Sequence, residues 1–210
     1  MKRDEIKNRI VAVARENFAE FGYKSVSTEN IAKSAGISKK TLYEIFPAKA
    51  DLMNFVVDTS QQYIAEKIKD VVVGLKDNPE KDFIVELERM INYELFAWKI
   101  FTKKFCYDIK TYFPAKWDEI IKFRSEQFEK HFFLLFSIGV QKGIINPDIN
   151  SEFVYLMFLQ SYSLTNPEFA SLLPLSIDEI VESVYKLFFI GFFTETGRRE
   201  YEKKIQIEKI

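Results

Sequence analysis

The sequence has few of the residues on which most metal sites and catalytic centres depend. Histidine occurs once, as His131, which excludes a metal site built on several histidines and acid–base chemistry that needs a histidine pair. Cysteine also occurs once, as Cys106, so no disulfide can form within the chain. No glycine-rich phosphate-binding loop is present. We therefore expect no enzyme activity, no metal and no cofactor.

Glycine and proline are also scarce, with 7 and 6 residues in a chain of 210, which argues against a fold of short strands and tight turns. Hydrophobic residues make up 47% of the chain, enough for a core, and 21 of the residues are phenylalanine. These features predict an all-α protein. The chain shows no signal peptide behind its charged start and no apolar run long enough to span a membrane, so we expect a soluble cytoplasmic protein without a membrane partner.

Charge is distributed unevenly along the chain, although the net charge is only −1. Residues 1–50 carry ten Lys and Arg against six Asp and Glu, whereas the remainder carries twenty against twenty-five. A basic N-terminal segment on an acidic body is the asymmetry expected when only the first part of a protein faces phosphate groups.

The stretch Val26–Phe46 contains two short apolar-periodic segments joined by Ala35-Gly36-Ile37. Each segment begins after a serine, Ser27 or Ser38, whose hydroxyl can accept from the free backbone N–H groups of a first helical turn. A helix from about Asp4 to Phe21, ended by Gly22, precedes them. This pattern predicts a three-helix domain over residues 1–47 that contains a helix-turn-helix, which places its second helix in the DNA major groove.

In the second of these helices Leu42, Ile45 and Phe46 share the core side, and the opposite side carries lysine, tyrosine and hydroxyl groups. Lys49 follows at the start of the next helix, where its charge and free N–H groups could together hold a phosphate. The residues predicted to contact double-stranded DNA are Ser27, Thr28, Glu29, Ser38, Lys39, Lys40, Thr41, Tyr43, Glu44 and Lys49.

The first 55 residues closely resemble the N-terminal domain of the TetR (tetracycline-repressor-like) family of bacterial transcription regulators. The matching positions are Phe18, Gly22, Ser27, Ile31, Ala32, Ala35, Gly36, Ile37, Ser38, Thr41, Leu42, Tyr43, Phe46, Lys49 and Leu52. Glu29, Lys40 and Ile45 depart from the residues common in the family. The resemblance implies a homodimer formed by the last two main helices and a body that senses a small molecule.

Residues 48–210 are predicted to form a helical ligand-binding and dimerisation domain. Its first helix runs from about Ala48 to Val73, with Pro47 able to open it, and Asn78-Pro79 restarts the chain in a second helical run that breaks near Thr102. Further helices are expected at about 115–142 and 151–164. A capping box, Ser176 to Glu179, begins a last main helix that is apolar on almost every side.

The many aromatic residues of the body have two interpretations. Aromatics at helical spacing usually pack in a core, but the same residues could line a cavity for an apolar or aromatic small molecule. The residues predicted to line such a cavity are Phe55, Tyr63, Tyr93, Phe96, Phe101, Phe105 and Trp117.

The last two main helices also have two interpretations, the interior of a monomer or the interface of a homodimer, and the resemblance favours the interface. A helix that is apolar all round must be buried all round. The residues predicted to lie in the dimer interface are Phe153, Met157, Ile180, Val184, Leu187, Phe188 and Phe192.

These observations predict a ligand-responsive DNA-binding transcription regulator, interpreted as a repressor. It would read a pseudo-palindromic operator as a homodimer and be released by a small apolar or aromatic effector. The alternative is a helical small-molecule binding or carrier protein whose DNA motif has decayed, to which Glu29 and Ile45 would point.

Overall fold

The computed structural model describes residues 3–207, and these residues form an all-α fold. The helices are α1 (Arg3–Ser25), α2 (Thr28–Ser34), α3 (Lys39–Ile45), α4 (Lys49–Asp77), α5 (Phe83–Ile100), α6 (Lys103–Tyr112), α7 (Pro114–Gln141), α8 (Ser151–Ser161), α9 (Pro167–Ala170), α10 (Ile177–Phe192) and α11 (Glu195–Ile207). A 3₁₀ turn, Tyr162–Thr165, joins α8 to α9. Residues 1–2 and 208–210 of the two predicted domains lie outside the described residues.

The first three helices pack around one small core. α1 contributes Ile10, Ala14 and Phe18, which recur at four-residue spacing and are fully buried. Ile31 of α2 and Leu42 of α3 close the same core and are equally inaccessible to solvent. This burial, and not the intrinsic helix propensity of seven-residue segments, stabilises α2 and α3, because isolated helices of that length are unstable in water. We call α1–α3 the head.

Gly22 breaks α1 as predicted, and a short helical segment continues beyond the kink to Ser25. Gly22 has φ 75° and ψ 165°, a conformation that interrupts the helical hydrogen bonding and that other residues rarely adopt. The glycine therefore does break the helix, and the chain resumes helical geometry directly after it.

The body is built on α4, which packs along both α5 and α7. α6 packs against α7 on one side and against α1 of the head on the other. α10 covers α5, and α8 covers α7. Within residues 3–207 the only strand-like pairing is an isolated antiparallel bridge between Ile145 and Phe193. None of the helices in this part of the chain is both long and apolar enough to cross a membrane.

One predicted helix start agrees to within a residue and another is wrong, and side-chain capping explains both. α4 begins at Lys49 because the Asp51 carboxylate accepts from the Ala48 N–H at 2.9 Å, so Pro47 lies in the preceding loop. α5 begins at Phe83, because Asp82 accepts from the N–H groups of residues 84 and 85 at 3.0 and 3.1 Å. The helix predicted to restart at Asn78-Pro79 is instead a turn.

Two other predicted boundaries are confirmed. The long aromatic run breaks at Thr102, whose hydroxyl accepts from the Phe105 N–H at 3.4 Å and caps α6. The capping box at Ser176 is present, since the Glu179 carboxylate accepts from the Ser176 N–H at 2.7 Å while the serine hydroxyl caps the helix in return. Local polar chemistry places both helix starts.

The last main helix is not buried on every side within the single chain. Phe189 and Phe192 of α10 are buried against the body, but Leu187 is 74% exposed. Phe153 and Leu156 of α8 are also exposed, at 63% and 56%. α8 and α10 thus each leave large apolar side chains in contact with solvent.

Candidate nucleic-acid interface

Two serines start the two helices of the helix-turn-helix as predicted. The Ser27 hydroxyl accepts from the Asn30 N–H at 3.1 Å, and the Ser38 hydroxyl accepts from the Thr41 N–H at 3.0 Å. Each serine has extended backbone angles, the usual conformation of an N-cap. Ser38 also shares a hydrogen bond with the Thr41 hydroxyl at 2.9 Å, so the first turn of α3 is held by two bonds.

At the turn between α2 and α3, two backbone hydrogen bonds close the C-terminal end of α2. The Gly36 N–H donates to the Lys33 carbonyl and the Ile37 N–H donates to the Ala32 carbonyl, both at 3.0 Å. This pairing is the Schellman motif, which needs a left-handed residue at the position of Gly36. Gly36 has φ 62° and meets that need. The angle between α2 and α3 is therefore set by backbone geometry.

The outward face of α3 is polar and accessible. Lys39, Lys40 and Glu44 are exposed, whereas Leu42 between them is fully buried in the head. Glu29 of α2 lies 4.0 Å from the Lys39 ammonium, and both side chains are mostly exposed. An ion pair in this setting is weak, so both groups can exchange it for a contact with nucleic acid at little cost.

A hydrogen bond that the sequence did not predict joins the two helices. The hydroxyls of Thr28 and Tyr43 lie 3.0 Å apart, across fifteen residues of sequence. Thr28 is buried and Tyr43 is 39% exposed, so the tyrosine is positioned by the threonine and its ring edge lies at the surface. Both were predicted to contact DNA, and the structure joins them by this hydrogen bond.

Lys49 lies at the start of α4 and is directed back toward the end of α1. Its ammonium donates to the Tyr23 carbonyl and lies 4.1 Å from the centre of the Tyr23 ring. Burial lowers the pKa of Lys49, and the charge of Asp108 opposes that shift. The lysine therefore fastens α4 to α1 beside the free N–H groups at the first turn of α4.

Arg3 adds a cation that the spacing of the helix-turn-helix did not reveal. Its guanidinium donates to the Glu44 carbonyl at 3.4 Å, which places the beginning of α1 beside the end of α3. The contact spans forty-one residues, so no local pattern could have indicated it. Arg3, Lys39 and Lys40 together give the polar side of α3 a positive charge.

The head has the geometry of a major-groove reader: a capped, short helix with an exposed polar face, fixed at a rigid turn to a second capped helix. The profile of the family "Bacterial regulatory proteins, tetR family" matches residues 10–55, which cover most of α1, all of α2 and α3, and the start of α4.

Two curated transcription regulators are similar to this chain over most of its length. The HTH-type transcriptional regulator UidR of Escherichia coli (strain K12) is 25% identical over 159 residues, covering 73% of this chain and 76% of UidR. The HTH-type transcriptional regulator YvaF of Bacillus subtilis (strain 168) is 25% identical over 185 residues, covering 87% and 93%. Residues 10–55 therefore form a TetR-family helix-turn-helix domain.

The fold of most of the chain is shared with solved structures. The fatty acid degradation regulator FadR of Bacillus halodurans superposes with a TM-score of 0.57 at 17% identity, covering 90% of this chain and 97% of FadR. At such low identity the likeness concerns the fold. The curated relatives are HTH-type transcription regulators, and this chain has a helix-turn-helix of the same family in its head.

The body contains an apolar cavity between α5, α7, α8 and α10, of about 30 Å³. We call it the aromatic cavity. Its lining includes Leu87, Met90, Phe128, Phe132, Phe158 and Phe189. None of the seven residues predicted to bind ligand lines it. The sequence missed the lining because aromatic residues that face a cavity and those that fill a core share the same helical spacing.

The structure instead places the predicted ligand residues in three environments. Tyr63 and Phe96 are each 46% exposed, so the prediction that they line an interior cavity is wrong. Phe101, Phe105 and Trp117 are buried, and the first two stack at 6.0 Å within the core. The remaining two, Phe55 and Tyr93, are half-buried at the edge of the core.

The predicted dimer residues also divide by exposure. Phe153, Met157 and Leu187 lie on the open surface, and Val184 and Phe188 are half-buried. Ile180 and Phe192 are buried in their own chain, at 3% and 5% exposure, so they do not offer a surface to a partner and their assignment to an interface is corrected. The exposed members come from α8 and α10.

Proposed function

We propose that this chain is a homodimeric TetR-family repressor that reads a pseudo-palindromic operator and is released by a small effector with an apolar or aromatic body. The observation that carries the proposal is the outward face of α3, which is exposed, cationic and held by the turn at Gly36. A side chain fixed on such a helix can reach base edges in the major groove.

The residues of the head divide into base readers and phosphate contacts by their position. Lys40 and Glu44 lie centrally on the exposed face of α3 and are assigned to base edges, where a lysine donates to guanine and a carboxylate accepts from cytosine. Tyr43, with its hydroxyl held by Thr28, and the first turn of α4 are assigned to phosphates.

The exposed apolar side chains of α8 and α10 support the homodimer. A two-fold symmetric pair would cover Leu187 and its neighbours with the same surface of a second copy. Two copies of α3 would then face one side of the duplex, with half-sites about 34–36 Å apart or a multiple of that distance.

The aromatic cavity supports the effector response. Its volume of about 30 Å³ holds only water-sized molecules, so a larger apolar ligand must separate the surrounding helices in order to enter. A ligand that binds the separated arrangement better shifts the population toward it, and the spacing of the two heads changes with it.

The alternative of a carrier with a decayed DNA motif has little support in the geometry of the head. Both serine side chains make their N-cap hydrogen bonds, and the turn has both hydrogen bonds of the Schellman motif. Ile45 is half-buried against the head, and Glu29 lies on the rim of the polar face, so neither departure disturbs the motif.

Selection of binding sites from random DNA, followed by fluorescence anisotropy, tests the proposal. We expect a two-fold symmetric consensus, and we expect Lys40→Ala to weaken binding to it about 5- to 150-fold while relaxing preference at one position of each half-site. Lys76→Ala, at the exposed far end of α4, is the matched control and should bind as the wild type does. Recovery of no consensus, or equal effects of the two variants, would contradict the proposal.

A further inference from the structure

A second cavity lies between α4, α5 and α7, on the side of the body nearer the head. We call it the polar cavity, and its volume is about 20 Å³. Gln61, Glu94, Arg124 and Gln127 contribute its polar groups, and Ile64, Ala65, Ile68 and Phe123 contribute its apolar wall. The combination of a polar end and an apolar wall is typical of sites that orient a small molecule.

Gln61 supplies an acceptor that no described residue satisfies. The side chain is only 8% exposed, and its Oε1 atom has no hydrogen-bond partner among residues 3–207. Burying an acceptor without a donor is costly, so such groups are uncommon in folded proteins. A ligand that donates a hydrogen bond to Gln61 would remove this cost.

Glu94 and Arg124 decide the charge of that ligand. The Arg124 Nη1 and Glu94 Oε2 atoms are 3.9 Å apart, and the two side chains are 9% and 14% exposed. Burial raises the pKa of the Glu94 carboxyl, and the charge of Arg124 opposes that rise. As an ion pair the two groups carry no net charge, so a charged ligand would add an uncompensated charge to a buried site, which is strongly unfavourable. The cavity therefore favours an uncharged polar group.

The polar cavity and the aromatic cavity follow one another along the seam between α5 and α7. On α5, Met90 lines the aromatic cavity and Glu94, one turn later, lines the polar cavity. On α7, Arg124 lines the polar cavity and Phe128, one turn later, lines the aromatic cavity. Residues four apart share a helix face and are separated by about 6 Å along the axis, so the cavities are consecutive parts of one seam.

We propose that the two cavities form one binding site for an elongated amphipathic molecule, with an uncharged hydrogen-bond-donating head at Gln61 and an apolar tail among the phenylalanines of the aromatic cavity. Primary amides and alcohols are the chemical class that fits. This class of molecule would be the effector of the proposed repressor. Only its effect on operator binding rests on the proposed function.

The polar end of this site is connected to the head by a row of aromatic contacts. The Arg124 guanidinium lies 5.0 Å from the centre of the Phe101 ring. Phe101 stacks on Phe105 at 6.0 Å, and Phe105 stacks on Phe18 of α1 at 5.6 Å. Since the polar cavity is too small for the ligand unless α5 and α7 separate, binding displaces Arg124 and, through the rings, α1.

Calorimetric titration of the full chain without DNA tests the site with four probes of matched length: hexanamide, 1-hexanol, hexanoate and hexylamine. We expect the amide and the alcohol to bind, and the two charged probes to bind at least tenfold more weakly. Equal affinity for all four probes, tighter binding of a charged probe, or no binding of the amide would overturn the proposal.

Gln61→Leu tests the position of the head, and Gln62→Leu, at the exposed neighbouring position, is its matched control. We expect the first variant to weaken hexanamide about tenfold and the second to leave it unchanged, with circular dichroism confirming that both are folded. An equal effect of the two substitutions would contradict the assignment of Gln61.

The length of the tail tests whether the two cavities act as one site. Shortening the probe from hexanamide to propanamide should weaken binding about fourfold for each methylene removed, because each buried methylene contributes to transfer from water. Affinity that does not change with the length of the tail would show that the two cavities are not one site, and would overturn the proposal. Hexanamide that binds the chain but leaves operator affinity unchanged would instead contradict the proposed effector response alone.

Discussion

Gly36 shows how a single residue determines the geometry of the DNA-binding motif. Its φ of 62° is the only feature that requires glycine, because a Cβ atom built there would have no heavy atom within 4 Å. Gly22, with φ 75°, differs, since a Cβ atom there would lie 2.6 Å from a carboxylate oxygen of Asp108. The first glycine is needed for backbone conformation alone, and the second for both conformation and space.

Substitution of Gly36 should therefore measure the cost of the left-handed conformation without a steric clash. We expect Gly36→Ala to lower the free energy of unfolding by about 1–2 kcal/mol, and Gly36→Asn to lower it by less, because asparagine adopts this conformation more readily. Urea unfolding of both variants makes the comparison. If alanine were as stable as glycine, the turn would have to adopt another geometry, and operator binding would then be lost.

At the scale of helices, the contact between α1 and α6 joins the head to the body. The Asp108 carboxylate of α6 accepts from the Lys24 N–H at 2.8 Å, just beyond the kink at Gly22. The Thr102 hydroxyl at the start of α6 donates to the Ala19 carbonyl at 2.7 Å. These two bonds flank the stacked rings of Phe18 and Phe105, so any displacement of α6 is carried into α1.

Removal of the Asp108 acceptor should loosen this contact locally. We expect Asp108→Leu to lower the free energy of unfolding by about 1–3 kcal/mol, because the Lys24 N–H is then left without an acceptor. Hydrogen exchange should show faster exchange of the Lys24 amide. Asp108→Asn keeps an acceptor oxygen in the same place and should retain most of the protection. Equal protection in the leucine variant would show that the hydrogen bond does not hold α1.

The helices that could be predicted from the sequence are those whose ends depend on local chemistry. Ser27, Ser38, Thr102 and Ser176 each accept from a backbone N–H within three residues, and all four boundaries are readable from neighbouring residues. The candidate site was partly predictable for the same reason, since the polar face of α3 follows from helical periodicity.

What could not be predicted depends on contacts between distant parts of the chain. The bond between Asp108 and Lys24 spans eighty-four residues, and neither residue carries a local signal of it. The lining of the aromatic cavity was missed because helical spacing does not distinguish a ring that faces a cavity from one that packs in the core. Phe101 and Phe105, candidates for either environment, pack in the core.

At the scale of the whole molecule, the remaining question is what covers the apolar side chains of α8 and α10. Phe153, Leu156, Met157 and Leu187 are 63%, 56%, 43% and 74% exposed in the single chain. A group of large apolar side chains on two adjacent surface helices marks an interaction site. In the proposed homodimer each of these helices packs against the same pair in a second copy, and the dimer couples two heads to one operator.

A charge at the centre of this face should therefore separate the protein into monomers. We expect Leu187→Glu to give a monomer in analytical ultracentrifugation, because a carboxylate would be buried beside its symmetry mate. Leu172 is equally accessible, at 77% exposure, but follows α9 outside the apolar face, so Leu172→Glu should remain dimeric. A monomer binds one half-site at a time, so Leu187→Glu should lose about 10²–10⁴-fold in affinity for the full operator. Binding to an isolated half-site should stay unchanged, and a dimeric Leu187→Glu variant would place the interface elsewhere.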